Sequence, residues 1–344
     1  MDEKAAVEEA VKSRLSLIKY FGDAQIGLRM MLAVMMVTDL SGIPLTKATP
    51  GQLSTAAKLR DLHREELIAG PTFVPPVDVC QTLSEMWESY PSTTAYLTDI
   101  LTPTGFVHFA EPLPDPIPQD GNSMPVAAMS WMVLKADDER VTFFGDGDLD
   151  GAYMLMLMIY ARTTDLGMDP QENPRVLPVA SVVWTIGDEG TMELWKEGLD
   201  PNFAQKRQKS PYMQVLLSYF AIIRQELLER GEPKERSKSN EMRLKSARRK
   251  HPNLNGKIQV TRFTQQTGSG KVRGSSAGGS GREYSVRFPR RKHWRWQWYE
   301  KTQENKPILI ITKGLIGPAG APVVGMERAF LTPKPLGPRP ERRS

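Results

Sequence analysis

Apolar side chains first recur in this chain at helical spacing. Val7, Val11, Leu15 and Ile18 lie three or four residues apart, and residues 26–37 are dense in Met, Leu and Ala. One buried helix face needs that period, so residues 2–40 are predicted to be helical. Pro44 and Pro50-Gly51 interrupt the pattern. Residues 52–69 read as a second helix with Thr49 as its cap and Gly70-Pro71 as its end, and a shorter helix is expected over 76–89. Near residue 100 the pattern turns strand-like. Residues 105–109 lead into a loop carrying Pro112, Pro114, Pro116 and Pro118, and 126–134 and 140–144 flank the polar residues 136–139 as a hairpin. The apolar stretch 148–163 reads as a buried helix and 179–186 as a strand. Ser210-Pro211 opens a helix that is predicted to run to Glu229 and stop at Gly231.

These elements predict an α+β fold, with a helical and mixed α/β N-terminal domain over 1–231. Residues 232–256 follow as a basic linker or exposed helix. A small, basic, antiparallel β-rich module is expected over 257–332, with strands at 257–264, 284–299 and 307–313, and less regularly at 323–331. Its Gly/Ser-rich stretch 267–282 has too few apolar side chains to pack and reads as a flexible loop. The Pro- and Arg-rich residues 333–344 read as a disordered tail.

Charge sharpens this division. Between Lys234 and Glu304 there are 19 Lys and Arg against five Asp and Glu, a net +14, whereas the rest of the chain carries −9 within an overall +5. A cationic block of this kind points to a polyanion, above all a nucleic acid. The single cysteine, Cys80, excludes an intrachain disulfide framework and fits a reducing cytoplasm. The first residues are acidic where a secretory signal is cationic, and the most apolar run, 30–37, is far shorter than the roughly 20 residues needed to span a bilayer. A cytoplasmic protein with no membrane partner is therefore expected.

The block ends in Arg290-Arg-Lys-His-Trp-Arg-Trp-Gln-Trp-Tyr299. In an extended chain, Arg291, His293, Arg295, Gln297 and Tyr299 share one face, and Lys292, Trp294, Trp296 and Trp298 share the other. The expected arrangement buries the three indoles as core and displays the polar face. Arg and Gln on that face suit phosphates or base edges, while Tyr and His offer stacking surfaces. With Arg287 upstream, the linker cations Arg248, Arg249 and Lys250 and the loop cations Lys271 and Arg273, they make up the expected nucleic-acid-binding set.

This tract, followed by Pro307-Ile-Leu-Ile310 and by Gly317-Pro318 and Ala321-Pro322, resembles the C-terminal motif of an uncharacterised family of actinobacterial and actinobacteriophage proteins. In that family Arg-Gly-His-Trp-Arg-x-Gln-Trp-Tyr precedes an Arg-Pro-Ile-Trp-Ile strand and a Lys-Gly-Pro turn. The resemblance covers residues 284–325, with Lys292 in place of the Gly, Leu309 of the Trp and Ile316 of the Lys. It implies a phage or actinobacterial origin, hence action in a host cytoplasm, and carries no activity with it.

Other motifs fail on their own chemistry. Asp146, Asp148 and Asp150 imitate the start of a calcium loop, but the twelfth position is Leu157 rather than a bidentate Glu. Gly268-Ser-Gly-Lys271 lacks both the first glycine and the Ser/Thr of a phosphate loop. No metal or other cofactor is implied. His63, on a charged helix, is expected to be exposed, His108 to be a satisfied structural histidine, and Cys80 to be inert.

The sequence therefore predicts a nucleic-acid-binding protein, DNA and RNA being equally compatible. Two alternatives stand beside it. A metal-independent ribonuclease would use His293 for proton transfer and Arg295 for charge stabilisation, with Tyr299 or Lys313 nearby and His251 or His108 as a second imidazole. An interaction protein would recruit a host or phage partner through the acidic residues 1–231.

Overall fold

The computed structural model describes residues 2–36, 48–91, 100–116, 124–135, 153–169, 171, 173–186, 192–194, 211–224, 228–233, 237–263, 288–289, 293–299, 304–310 and 315–316. Two units are present. One takes in Met1–Gln266 with Trp294–Leu309, and the other Thr267–His293 with Ile310–Ser344.

The first unit begins with α1 (Glu3–Gly22), whose buried residues Val7, Ala10, Arg14, Leu17 and Phe21 form one stripe. The Asp2 carboxylate accepts from the Ala5 amide at 2.7 Å and caps its start. Asp23 breaks the predicted single helix by accepting from the amides of Gln25 and Ile26, so that α2 (Ala24–Met36) sets off separately. In α3 (Pro50–Ala69), Thr49 and Gln52 form a reciprocal capping box with Pro50 in the first turn. Next come β1 (Thr72–Val74), α4 (Val77–Met86) with a 3-10 turn over Trp87–Ser89, β2 (Thr104–Leu113), β3 (Val126–Lys135), β4 (Tyr153–Arg162), β5 (Val176–Ile186) and β6 (Met192–Leu194). The unit continues through α5 (Pro211–Ile223), β7 (Leu228–Gly231), α6 (Lys238–Lys250) and β8 (Ile258–Phe263). Helices and a mixed sheet together make the fold α+β.

Eight strands form one sheet in the order β6-β5-β4-β3-β2-β1-β8-β7. β1 runs parallel to both β2 and β8, and the other neighbours are antiparallel. The pleat sends alternate residues to opposite faces. Phe106, Met132, Met156 and Tyr160 meet the layer of α1, α2 and α3. On the other face Phe109 lies edge-on to Tyr219 and Trp131 edge-on to Phe220, both on α5. Gly105 is required here, because a Cβ at that position would collide with the Trp131 ring.

Three expected elements are corrected. Residues 148–163 do not form a helix: Tyr153–Arg162 is the strand β4, paired with β3 and β5. Helices cover both faces of the sheet, so Met154 through Ala161 are all buried, and the alternation that marks a half-exposed strand is lost. The helix expected from Ser210 to Glu229 ends at Ile223, and Leu228–Gly231 pairs with β8 instead. Finally, the residues from 257 do not open a separate module. β8 lies between β1 and β7 because Val260, fully buried, packs with Val74 and Ala110 against α1.

Two short ribbons complete the described chain. β10 (His293–Tyr299) pairs with β11 (Glu304–Ile310). In the second unit β9 (Phe288–Pro289) runs antiparallel to β12 (Leu315–Ile316). The expected hairpin strand at 140–144, the loop 267–282 and the tail 333–344 lie outside the described residues.

Candidate nucleic-acid interface

The β10 strand is extended, as the alternation predicts, but its indoles are not core. Trp296 is 48% exposed and Trp298 54% exposed; only Trp294 is docked, edge-on to Tyr90 with ring centroids 5.0 Å apart. The correction has a simple cause. A two-stranded ribbon has no second layer of its own, so the tryptophan stripe is covered only where it meets the main body. Leu309 on β11 is buried and shares in that anchoring.

On the opposite face His293 and Arg295 are exposed and Gln297 is half-buried. Successive side chains on either face stand about 6.5–7 Å apart along a strand. The ribbon therefore shows solvent two flat indoles on one side and a guanidinium, an imidazole and an amide on the other. Tyr299 ends the strand. Arg287, Arg291, Lys271, Arg273 and Lys313 lie outside the described residues.

The segment 238–250 is the helix α6, one of the two forms expected for the linker. Leu244 and Ala247 turn inward against the core, and Lys238, Lys245, Arg248, Arg249 and Lys250 are exposed. Arg243 is held by Glu8 of α1 at 3.3 Å. Among the described residues, no carboxylate pairs with Arg248, Arg249, Lys250 or Arg295. The cations of the last turn also complement the negative end of the helix dipole, which accounts for their clustering there.

The ribonuclease alternative needs a second acid or base beside His293. Tyr299 stands at the far end of the same strand, about 20 Å away at the extended rise. His108 is 1% exposed on β2, and burial, aided by the Arg162 charge, pushes its pKa down to about 3. A neutral imidazole in the core does not reach a phosphodiester. His251 follows α6, where partial burial and the nearby Arg64 and Lys250 lower its pKa.

The buried polar groups differ from expectation. His63 is fully buried rather than exposed, with Nδ1 3.0 Å from the Glu66 carboxylate. Leu59, His63 and Glu66 share one face of α3, and that face points into the sheet. Burial raises the Glu66 pKa against the opposing pull of His63, and its Oε1 has no hydrogen-bond partner among the described residues; the Ser130 and Tyr160 hydroxyls bond each other at 2.9 Å. His108 is structural, but its Nδ1 has no hydrogen-bond partner among the described residues. Cys80 is buried, and burial pushes its thiol up to about 12, far from a reactive thiolate.

What the sequence pattern concealed is the exposure of Trp296 and Trp298. Among the described residues no group of three or more His, Cys, Asp or Glu is placed to hold a metal, and no helix is long and apolar enough to cross a membrane. Comparisons with protein-family models, curated proteins and solved structures found no match to this chain.

Proposed function

We propose that this protein binds single-stranded nucleic acid through the β10 ribbon, with α6 supplying further phosphate contacts. The observation that carries the reading is the pair of exposed indoles, Trp296 and Trp298, on a strand whose other face displays Arg295. Every base offers a π-face, so indoles in water are a sequence-tolerant stacking platform, and each stacked base contributes roughly 1–3 kcal/mol. Duplex bases are already stacked on one another, which favours a single strand. The exposed cations at 248–250, which pair with no carboxylate among the described residues, supply the sequence-independent attraction that any phosphate backbone answers. With the motif resemblance, the proposal extends to a phage-encoded protein acting in the host cytoplasm.

Tryptophan fluorescence tests it directly. Single-stranded RNA and DNA oligomers are expected to quench the wild-type signal. Trp296→Ala with Trp298→Ala should weaken binding at least tenfold while leaving the far-ultraviolet circular dichroism unchanged. Unchanged affinity in the double variant, equal affinity for duplex, or quenching by anionic lipid vesicles in place of oligomers would overturn the proposal.

A further inference from the structure

A second candidate site lies away from the ribbon. A cleft of about 380 Å³ opens between α6 and the start of β8, with Val7 of α1 at its base. That volume is at the lower end of the roughly 300–1,000 Å³ usual for small-molecule sites. One side of α6 lines it at helical spacing through Ser237, Asn240, Glu241, Leu244, Lys245 and Arg248. Gly256, Lys257 and Ile258 form the facing wall.

Asn240 marks it as more than a surface gap. The residue is only 4% exposed, and its Nδ2 has no acceptor among the described residues. Its Oδ1 already accepts from Arg243 Nη1 at 3.4 Å, and Arg243 in turn is tied to Glu8, which fixes the amide nitrogen as the unsatisfied end. A buried donor without an acceptor costs about 1–3 kcal/mol, a cost that turning the amide, closed to solvent in this conformation, toward a ligand oxygen or ring nitrogen in the cleft would remove. The N-cap residue of α6, Ser237, makes no side-chain capping bond, so its hydroxyl remains at the cleft wall beside the positive end of the helix.

The charges and the apolar surface define the ligand. Lys245, Arg248 and Lys257 bring three cations to the lining against the two carboxylates of Glu232 and Glu241, and no carboxylate pairs with any of the three among the described residues. The Arg248 guanidinium lies against Gly256, in space that a Cβ there would occupy, and its Nε donates to Leu254 O at 3.3 Å. Leu244, Ile258, Val7 and Pro233 give the cleft apolar walls, and the Glu241 carboxylate supplies an acceptor for hydroxyl groups. Cations for a phosphate, apolar walls for a flat ring, an amide donor for a ring acceptor and a carboxylate for hydroxyls are together the complement of one nucleotide. We propose that this cleft binds a nucleotide phosphate ester, either free or at the end of a strand. The proposal does not depend on the ribbon.

Isothermal titration of the full chain tests it, using Trp296→Ala with Trp298→Ala as the background so that ribbon binding does not contribute. The probes are the four ribonucleoside monophosphates, inorganic phosphate, and a short oligonucleotide with and without a 5′-phosphate. At least one monophosphate, or the 5′-phosphorylated oligomer alone, is expected to bind at one site. These two results separate a free nucleotide from a strand end. Asn240→Leu and, separately, Lys257→Gln should each weaken binding about tenfold or more. Lys257 is exposed, so its variant keeps the test decisive if Asn240→Leu does not fold. The proposal is overturned if no nucleotide or 5′-phosphorylated oligomer binds, if inorganic phosphate binds equally tightly, or if Lys257→Gln binds as the wild type does.

Discussion

The indole N–H of Trp294 donates to the backbone carbonyl of Met86 at 2.9 Å. Met86 ends α4, where the last carbonyls of a helix have no intrahelical partner, and its carbonyl also accepts from the Ser89 hydroxyl at 3.0 Å, so the tryptophan adds a second donor to a helix end while tethering the ribbon. Of three tryptophans at alternate positions, the first is thus an anchor and the next two are presented. Trp294→Ala removes one hydrogen bond and one aromatic pair, together roughly 2 kcal/mol. Limited proteolysis within 293–310 should accelerate, whereas Trp296→Ala should leave cleavage unchanged. Equal protection in the two variants would show that Trp294 does not hold the ribbon.

The cations of α6 act by a different law from the indoles. Neutralising Arg248, Arg249 and Lys250 together should lower the slope of log affinity against log salt by up to about 2, at about 0.7 per phosphate contact for a single strand. The indole variants should lower affinity and keep the slope. Filter-binding titrations from low to moderate salt distinguish the two. A slope unaffected by the triple change would remove α6 from the interface.

Local chemistry was legible wherever it decided structure by itself. Thr49 announces the cap of α3, although the helix begins at Pro50, which the sequence pattern presents as an interruption, and Gln52 completes a capping box with Thr49. Burial imposed from elsewhere was not legible. Met154 to Ala161 have no alternation because both faces of β4 are covered, a fact about α1–α3 and α5 rather than about the strand. His63 and Glu66 look like a solvated pair until the inward face of α3 is known. The opposite error occurred at Trp296 and Trp298, whose apolarity suggests core although each is about half exposed. Asn240 gave no signal at all, since an orphaned donor is a property of the packed state.

Arg14 supports the fold on which both sites depend. It is 2% exposed and donates to the carbonyls of Leu67, Ile68, Gly70 and Asn255 and to the Thr72 hydroxyl, at 2.6–3.2 Å. These bonds tie α1 to the turn before β1 and to the chain entering β8. Burial lowers its pKa to about 10, so it stays charged at neutral pH. Arg14→Met should cost about 3–5 kcal/mol by leaving those acceptors unpaired. Arg14→Lys, with three donors on one atom in place of a planar fork, should rescue little of this. Urea unfolding measures both, and a lysine variant within 0.5 kcal/mol of wild type would reject this account.

The buried groups His108 and Glu66 set opposite pH dependences. The folded-state pKa of His108 is depressed to about 3 from 6.5, so between those values the unfolded chain holds the extra proton and stability rises with pH. The stability is therefore lost as pH falls below about 6.5, by on the order of 4 kcal/mol across the whole interval. For Glu66 the folded-state pKa is raised above 4.5, the folded chain keeps the proton, and stability falls as pH rises beyond 4.5. His108→Leu, which removes the imidazole and its orphaned Nδ1, should flatten the acid limb between pH 6.5 and 4.5. Glu66→Gln should flatten the decline above 4.5 and raise stability at pH 7. Urea midpoints at half-unit pH intervals give both curves. If the acid limb of His108→Leu superimposes on that of the wild type, the buried imidazole is not the group that the folded protein fails to protonate.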